Sequence, residues 1–393
     1  MTRCVPAPKR VLARALDGVV ATMCLACPAA LHAQTGHVTT TFESYAARNQ
    51  TAVRLHDVRL HTSSFGAAVP LTRWASASIE AAYASASMRL TTGEQADVAG
   101  LLDTRAAVEA RLGGFALVGS ALLPTGDVAQ TVEEATVAGL LSADLLPFSA
   151  THWGSGGAFA ADLGYGAESG RIRIGLSAGY VALAESDPFA VGTVTYRPGS
   201  QMRARGMFEV AVREADVLTV IFGAQSFGTD AYAEQNLFTP GVRIEGLVSY
   251  AMPLGPRESL RAYGRLYRMG AGILAWELAP PPELGGVLPG TAAQPSRKVF
   301  AAGFEMRVAR PRLAVVPGGE IRVLRSADGF GQGWVGSLTT RAEYRVRGAR
   351  QGRRLLVGPS LGVRLGRLGK GAGAQADIFG WEGGLTLRVE AGP

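Results

Sequence analysis

From residue 34 onward, apolar and polar positions alternate with a period of two in one segment after another, which is the pattern of a strand with one apolar and one polar face. Between Arg171 and Ala184, Ile172, Ile174, Leu176, Ala178 and Tyr180 oppose Arg171, Arg173, Gly175, Ser177 and Gly179. From Arg203 to Arg213, Ala204, Gly206, Phe208, Val210 and Val212 oppose Arg203, Arg205, Glu209 and Arg213. Val242 to Met252 sets Val242, Ile244, Val248 and Tyr250 against Arg243, Glu245 and Ser249. Further segments run through Phe304 to Val308, Ser337 to Val346, Leu355 to Leu365 and Asp377 to Glu390.

Beyond the leader no stretch of about 18 apolar residues occurs, so the pattern excludes membrane helices. The links between alternating segments fall into two kinds. Short ones lie at Glu168 to Gly170, Arg213 to Asp216, Ala309 to Arg312, Pro70 to Arg73 and Arg347 to Arg353. Long ones run from Pro124 to Trp153 and from Gly270 to Arg297, the second holding five prolines, which remove ladder donors. The pattern predicts an all-β, transmembrane, antiparallel up-and-down β-barrel with short periplasmic turns and longer outer loops. Counting the weak segment His37 to Tyr45 gives about 16 strands, and omitting a pair near the N terminus gives about 14. Thr51 to Val69 is the hardest stretch, because His56, Asp57, Arg59 and His61 break the alternation and suggest a bulge. Trp74, Trp153 and Trp334 fall near predicted strand ends, as an aromatic girdle requires. Tyr196-Arg197-Pro198-Gly199 and Phe238-Thr239-Pro240-Gly241 form a faint repeat, with an aromatic ahead of Pro-Gly at an outer strand end, best explained by turn chemistry.

Composition fits this picture, with Gly 51 and charged residues at 18% in a chain of 393. A soluble sandwich also alternates, but here the polar face is arginine, glutamate, serine and glycine rather than the lysine and threonine of a solvent-facing sheet. The first 33 residues have the form of a secretory signal: Arg3, Lys9, Arg10 and Arg14 precede an apolar run from Val19 to Leu31, with a cut expected after Ala33. The expected organisation is a signal peptide at 1–33 and an outer-membrane barrel at 34–393, which assigns the protein to the bacterial outer membrane. Cys4, Cys24 and Cys27 all lie in the leader, so the mature chain has no thiol chemistry. The overall charge of +7 falls to about +4 once the leader's four basic residues and Asp17 are removed. The arginines form no block or stripe, which argues against nucleic acid as a partner.

Catalysis would need a nucleophile or activated water with a general base. His152, with Ser149, Ser155 and Asp144 near it in sequence, is the one place to draw such a set, and loop composition alone explains it; the chain is expected not to be an enzyme. Asp127, Glu133, Glu134 and Asp144 make the longest loop acidic, but a solvated loop explains them better than a metal, and neither metal nor cofactor is expected. Gly154-Ser155-Gly156-Gly157 has no lysine or helix to make it a phosphate loop. The informative set is the polar face. Its arginines are Arg171, Arg173, Arg203, Arg205, Arg243, Arg261, Arg265, Arg307, Arg341, Arg345 and Arg364, and its acids are Glu209, Glu245, Glu305, Glu343 and Glu382. If these line a lumen, the basic excess favours anions; if they chiefly pair across strands, they fill a closed interior.

The run Ala121-Leu122-Leu123-Pro124-Thr125-Gly126-Asp127, a long loop, and then Trp153-Gly154-Ser155-Gly156 resemble the phenol-degradation (meta-pathway) and fatty-acid-type outer-membrane transport barrels. The resemblance covers about a third of the chain and implies uptake of small hydrophobic molecules. The expected role is a channel for passive or facilitated passage of a small molecule, with Pro124 to Trp153 and Gly270 to Arg297 as constrictions or lids. The alternatives are a non-conducting structural or adhesion barrel and a barrel hydrolase. The expected partners are outer-membrane lipid, the barrel-insertion machinery and a small-molecule substrate.

Overall fold

Antiparallel strands whose side chains alternate between lipid-compatible and polar faces have a way to satisfy every backbone donor and acceptor without exposing an edge: closure into a barrel. A computed structural model shows that closure. It describes residues 35–48, 55–126, 153–187, 195–232, 235–274, 296–326, 330–346, 353–370 and 374–391, with scattered positions between 131 and 150 and at 292–294.

In chain order the strands are β1 (Thr35–Arg48), β2 (Leu55–Pro70), β3 (Ala75–Leu90), β4 (Gln95–Leu101), β5 (Thr104–Leu112), β6 (Phe115–Leu123), β7 (Ala158–Ser169) and β8 (Ile172–Leu183). They continue as β9 (Tyr196–Arg197), β10 (Gln201–Ala211), β11 (Val217–Phe227), β12 (Asp230–Tyr232), β13 (Gln235–Thr239), β14 (Arg243–Pro253), β15 (Glu258–Met269) and β16 (Gly272–Leu274). The last are β17 (Ala292–Gln294), β18 (Arg297–Ala309), β19 (Leu313–Ser326), β20 (Phe330–Arg345), β21 (Arg353–Lys370) and β22 (Ala374–Ala391). β4 and β5 both pair with β3 and are two pieces of one stave, broken at Leu102 and Asp103. The main sheet therefore has 16 staves, each antiparallel to its sequence neighbour. β1 closes it against β22, from Thr35 opposite Glu390 to Arg48 opposite Asp377.

With an even stave count, Thr35 and Ala391 lie at one end, whose links are all short, while every long connection, after β6, β8, β11 and β15, lies at the other end together with the short links after β3, β19 and β21. β2 has its irregularity between Leu55 and Asp57, at His56, and is regular beyond it. His61 and Ser63 there share a face with Phe42 and Phe65. His61 Nε2 meets Thr40 Oγ1 at 3.1 Å and Ser63 Oγ at 3.2 Å, and Phe42 stacks on the ring at 4.5 Å between centroids. The polar groups that disturb the alternation thus bond one another instead of moving the register.

The apolar face is the exposed one: Phe159 is 68% exposed, Leu361 64% and Leu338 63%. Such a belt of large apolar side chains around a closed wall is the surface of a membrane barrel, since water would charge roughly 25 cal/mol for each Å² left bare. Above the long-connection end, β17, β16, β13, β12 and β9 form a second sheet in that order. At its base a Cβ on Gly199 would lie 2.3 Å from the backbone of Gly228, and one on Gly241 2.4 Å from that of Gly270. The Pro-Gly repeat is therefore chain geometry: it lets two neighbouring backbones pass in contact where barrel strands give way to the small sheet. Asp230 secures the junction, accepting from Tyr196 Oη and from the Gly199 amide, both at 2.7 Å. Burial first, and the carboxylate beside it second, push the Tyr196 phenol well above its ordinary range.

Candidate functional site

Register places all sixteen of the charged residues singled out above on the face opposite the apolar one, or at its turn in the case of Arg171. Several of their contacts skip a whole strand. Arg205 on β10 reaches Glu245 on β14 at 2.8 Å, Arg307 on β18 reaches Glu343 on β20 at 3.6 Å, and Arg341 on β20 reaches Glu305 on β18 at 3.5 Å. Side chains converge in this way on the concave side of a curved wall. Arg173 pairs with both Glu168 and Glu209, and Arg243 with Glu245. Arg261 and Arg265 have no carboxylate partner among the described residues; both guanidinium groups lean on the Tyr263 ring, at 6.0 and 5.7 Å.

Two recesses in this face differ in charge. One, of about 330 Å³, is lined by Glu305, Glu343 and Glu382 together with Arg341 and Arg388. The other, of about 480 Å³, is lined by Arg205, Arg243, Arg265 and Arg322 with Glu245 as its one acid. Arg243 stacks on Tyr267 there at 4.7 Å, which holds the guanidinium plane in place. Arg205 and Arg243 share Glu245 and Arg322 bonds Glu320, so four arginines about two carboxylates still leave donors to spare, and a guanidinium fork matches carboxylate or phosphate oxygens.

The connection from β6 to β7 turns onto the same concave face. Trp153 is buried to 1% exposure and donates from Nε1 to the Ala84 carbonyl at 3.1 Å, so it does not sit in an aromatic girdle as its place in the sequence suggested. Trp74 and Trp334 are exposed on the outer wall, at 47% and 43%. With Val137, Leu146, Phe148 and Ala150, Trp153 packs on Tyr45, Val58, Leu60, Ala84, Ala86, Met88 and Val98 of β1 to β4. The β4–β5 break supplies the anchor. Asp103, left outside the strand ladder by that break, accepts from the Gly126 amide at 3.1 Å and from the Ser155 amide and hydroxyl, each at 2.7 Å. Thr125 Oγ1 bonds the Leu102 carbonyl at 3.0 Å. A Cβ on Gly126 would fall 1.7 Å from the Trp153 carbonyl oxygen, and Gly156 and Gly157 hold φ of 78° and 97°. The Pro-Thr-Gly and Trp-Gly-Ser-Gly motifs are thus the two clamped ends of one inward loop.

Deeper along that loop, the Ser149 amide and hydroxyl both donate to Glu43, at 2.8 and 2.6 Å. Ser149 Oγ also meets Thr62 at 2.7 Å. Glu43 on β1 lies directly opposite Glu382 on β22, and Arg364 on β21 bridges the two, 3.4 Å from Glu43 and in contact with Glu382. Arg364 also lies over the Tyr45 ring at 5.5 Å, in space left by Gly380, where a Cβ would meet Tyr45 at 2.6 Å. Loop, closing seam and charge network meet at this point.

Glu43, Asp103, Asp162 and Arg322 escaped the sequence reading. Asp162, which pairs with Arg203, was findable, since Phe159, Ala161, Leu163 and Tyr165 alternate around it. Glu43 sits in Thr39-Thr40-Thr41-Phe42-Glu43-Ser44, which is polar on both faces and gives no phase. Glu134 caps a helical turn, accepting from the Thr131 amide at 2.9 Å while its own amide donates to Thr131 Oγ1 at 3.3 Å. His152, Asp127, Glu133 and Asp144 lie outside the described residues. Among the described residues no group of three or more histidine, cysteine or acidic side chains could hold a metal ion.

No family model matches the chain, and no curated protein matches it. Solved structures do. Pseudomonas aeruginosa OpdQ is 9% identical with a TM-score of 0.45, over 90% of this chain and 96% of that one. A bacterial polysaccharide outer membrane secretin is 11% identical with a TM-score of 0.44, over 90% and 98%. The outer membrane channel DcaP of Acinetobacter baumannii is 7% identical with a TM-score of 0.39, over 90% and 96%.

Proposed function

We propose that this chain is an outer-membrane channel for small organic or inorganic anions, bearing carboxylate or phosphate oxygens, and that the loop clamped by Asp103 narrows its lumen. The observation that carries this is the recess in which Arg205, Arg243, Arg265 and Arg322 meet only two carboxylates, Glu245 in its lining and Glu320 beside Arg322, together with Arg261 and Arg265 making no ion pair among the described residues. A wall with surplus positive charge raises the local concentration of anions and lowers that of cations. The mechanism is filtering by size at the inward loop and by charge along the arginines.

The test is a planar-bilayer measurement of current and reversal potential under a salt gradient. Removing one unit charge about 4 Å from a passing ion changes its energy by about 1 kcal/mol in water, roughly fivefold in occupancy. Arg261→Gln combined with Arg265→Gln is expected to lower the anion-to-cation permeability ratio several-fold while the folded barrel stays intact. An unchanged ratio sinks the charge filter. A second reading, a closed structural barrel, is favoured by the strand-skipping ion pairs and the buried Glu43–Arg364 contact; it predicts no current from the native chain.

A further inference from the structure

At the long-connection end of the barrel, three cations stand side by side on the outer wall. Arg268 on β15 is directly opposite Lys298 on β18, and Lys298 is directly opposite Arg325 on β19. All three are exposed, and none has a carboxylate partner among the described residues. Like charges placed directly opposite on adjacent strands destabilise a sheet, because their Cβ atoms are only about 5 Å apart. Further round the same rim that problem is solved internally: Asp377 lies directly opposite both Arg367 and Arg48, and pairs with Arg367 at 2.9 Å. Among the described residues no such acid accompanies Arg268, Lys298 and Arg325.

The row below them shows where they stand. Two residues nearer the tight-turn end, about 7 Å along the strands, Leu266, Phe300, Val323 and Trp334 are cross-strand neighbours of one another on the same face. Phe300 and Trp334 are among the exposed side chains of the belt. On β15, β18 and β19 the three cations therefore occupy the first outward-facing position beyond apolar side chains, beside the exposed Ile244 of β14, which lies directly opposite Arg268; this is the boundary at which lipid headgroups begin. A phosphate there accepts from two or three neighbouring side chains at once and removes their mutual repulsion, while the acyl chains cover Phe300 and Leu266.

We infer that Arg268, Lys298 and Arg325 form a binding site for the phosphate groups of an anionic lipid in the leaflet at the long-connection end. The inference rests on the membrane reading of the barrel. It requires a lipid rather than a free anion, since the cations and the apolar row act together.

The test uses the whole mature chain in detergent and native mass spectrometry, with diphosphoryl lipid A, phosphatidylcholine and inorganic phosphate as separate probes. The native protein is expected to retain lipid A through detergent exchange and to release phosphatidylcholine. The triple variant R268Q/K298Q/R325Q is expected to bind lipid A on the order of a hundred-fold more weakly, at about one kcal/mol for each cation, while keeping a boiling-dependent gel shift. Equal retention by native and variant protein overturns the site. Binding of inorganic phosphate as tight as that of lipid A overturns the assignment to lipid. Flotation of the refolded chain with phosphatidylcholine vesicles tests the membrane reading separately: a chain that does not float with them fails that reading, whatever the lipid A result.

Discussion

Trp153→Ala releases the inward loop without opening the barrel. The indole is fully buried, fills the space between the loop's Val137, Leu146 and Phe148 and the wall's Ala84, Ala86 and Met88, and spends its one donor on Ala84. Truncating a tryptophan in such a setting costs about 3–5 kcal/mol, and among the described residues of the loop no strand ladder absorbs the loss. Two readouts follow. A Glu-specific protease, whose sites at Glu133 and Glu134 lie in the loop sequence, is expected to cut the variant faster by two orders of magnitude or so, and single-channel conductance is expected to rise. The gel shift on boiling stays, because none of the stave pairings passes through Trp153. If cleavage and conductance match the native chain, the loop does not depend on this contact.

Glu43→Ala is expected to weaken the wall itself. Arg364 and Glu43 have only 9% and 4% of their side chains exposed, and removing one partner of a buried pair costs about 3–5 kcal/mol, because the other charge stays behind. The location amplifies this. β1 and β22 are the first and last strands of the barrel, and the network from Glu43 through Arg364 to Glu382 ties β1, β22 and β21 together where the barrel closes. Ser149 loses its acceptor as well. The variant is expected to lose its folded gel band at a clearly lower guanidinium concentration, whereas Trp153→Ala leaves that midpoint almost unchanged. Adding Arg364→Met to Glu43→Ala is expected to restore part of the loss, since the stranded charge is gone. A double variant no more stable than Glu43→Ala alone contradicts this account.

Much of the wall was legible before any coordinates. Where one face is large and apolar and the other carries arginine or glycine, as in Ile172 to Leu183 or Gln201 to Ala211, the period of two fixes which residues share a side, and a one-residue error would expose every one of them. The parity of short and long links followed from the same segments. β1 and β2 were harder, because threonines, serines and His61 occupy both faces and leave the phase undefined; there the Thr40–His61–Ser63 hydrogen bonds do what apolar side chains do elsewhere. The small upper sheet was not legible at all: its strands are two to five residues long, too short for any period to register.

The sequence by itself therefore determined the strand faces in the clearly alternating segments, the end at which the seven links it picked out lie, and the basic character of the polar side, because these depend on the alternation and kind of residues along one segment; that the short links after β3, β19 and β21 share the end of the long loops was not legible. The tertiary structure decided which charges meet. Arg364 and Glu43 are separated by more than three hundred positions, and Trp153 reaches Ala84 across 69; no local pattern encodes such distances. Closure of the barrel brings its first and last strands into register, turns one connection inward and leaves three rim cations side by side. Each of these depends on the curvature and stagger of the whole wall, which no single strand contains.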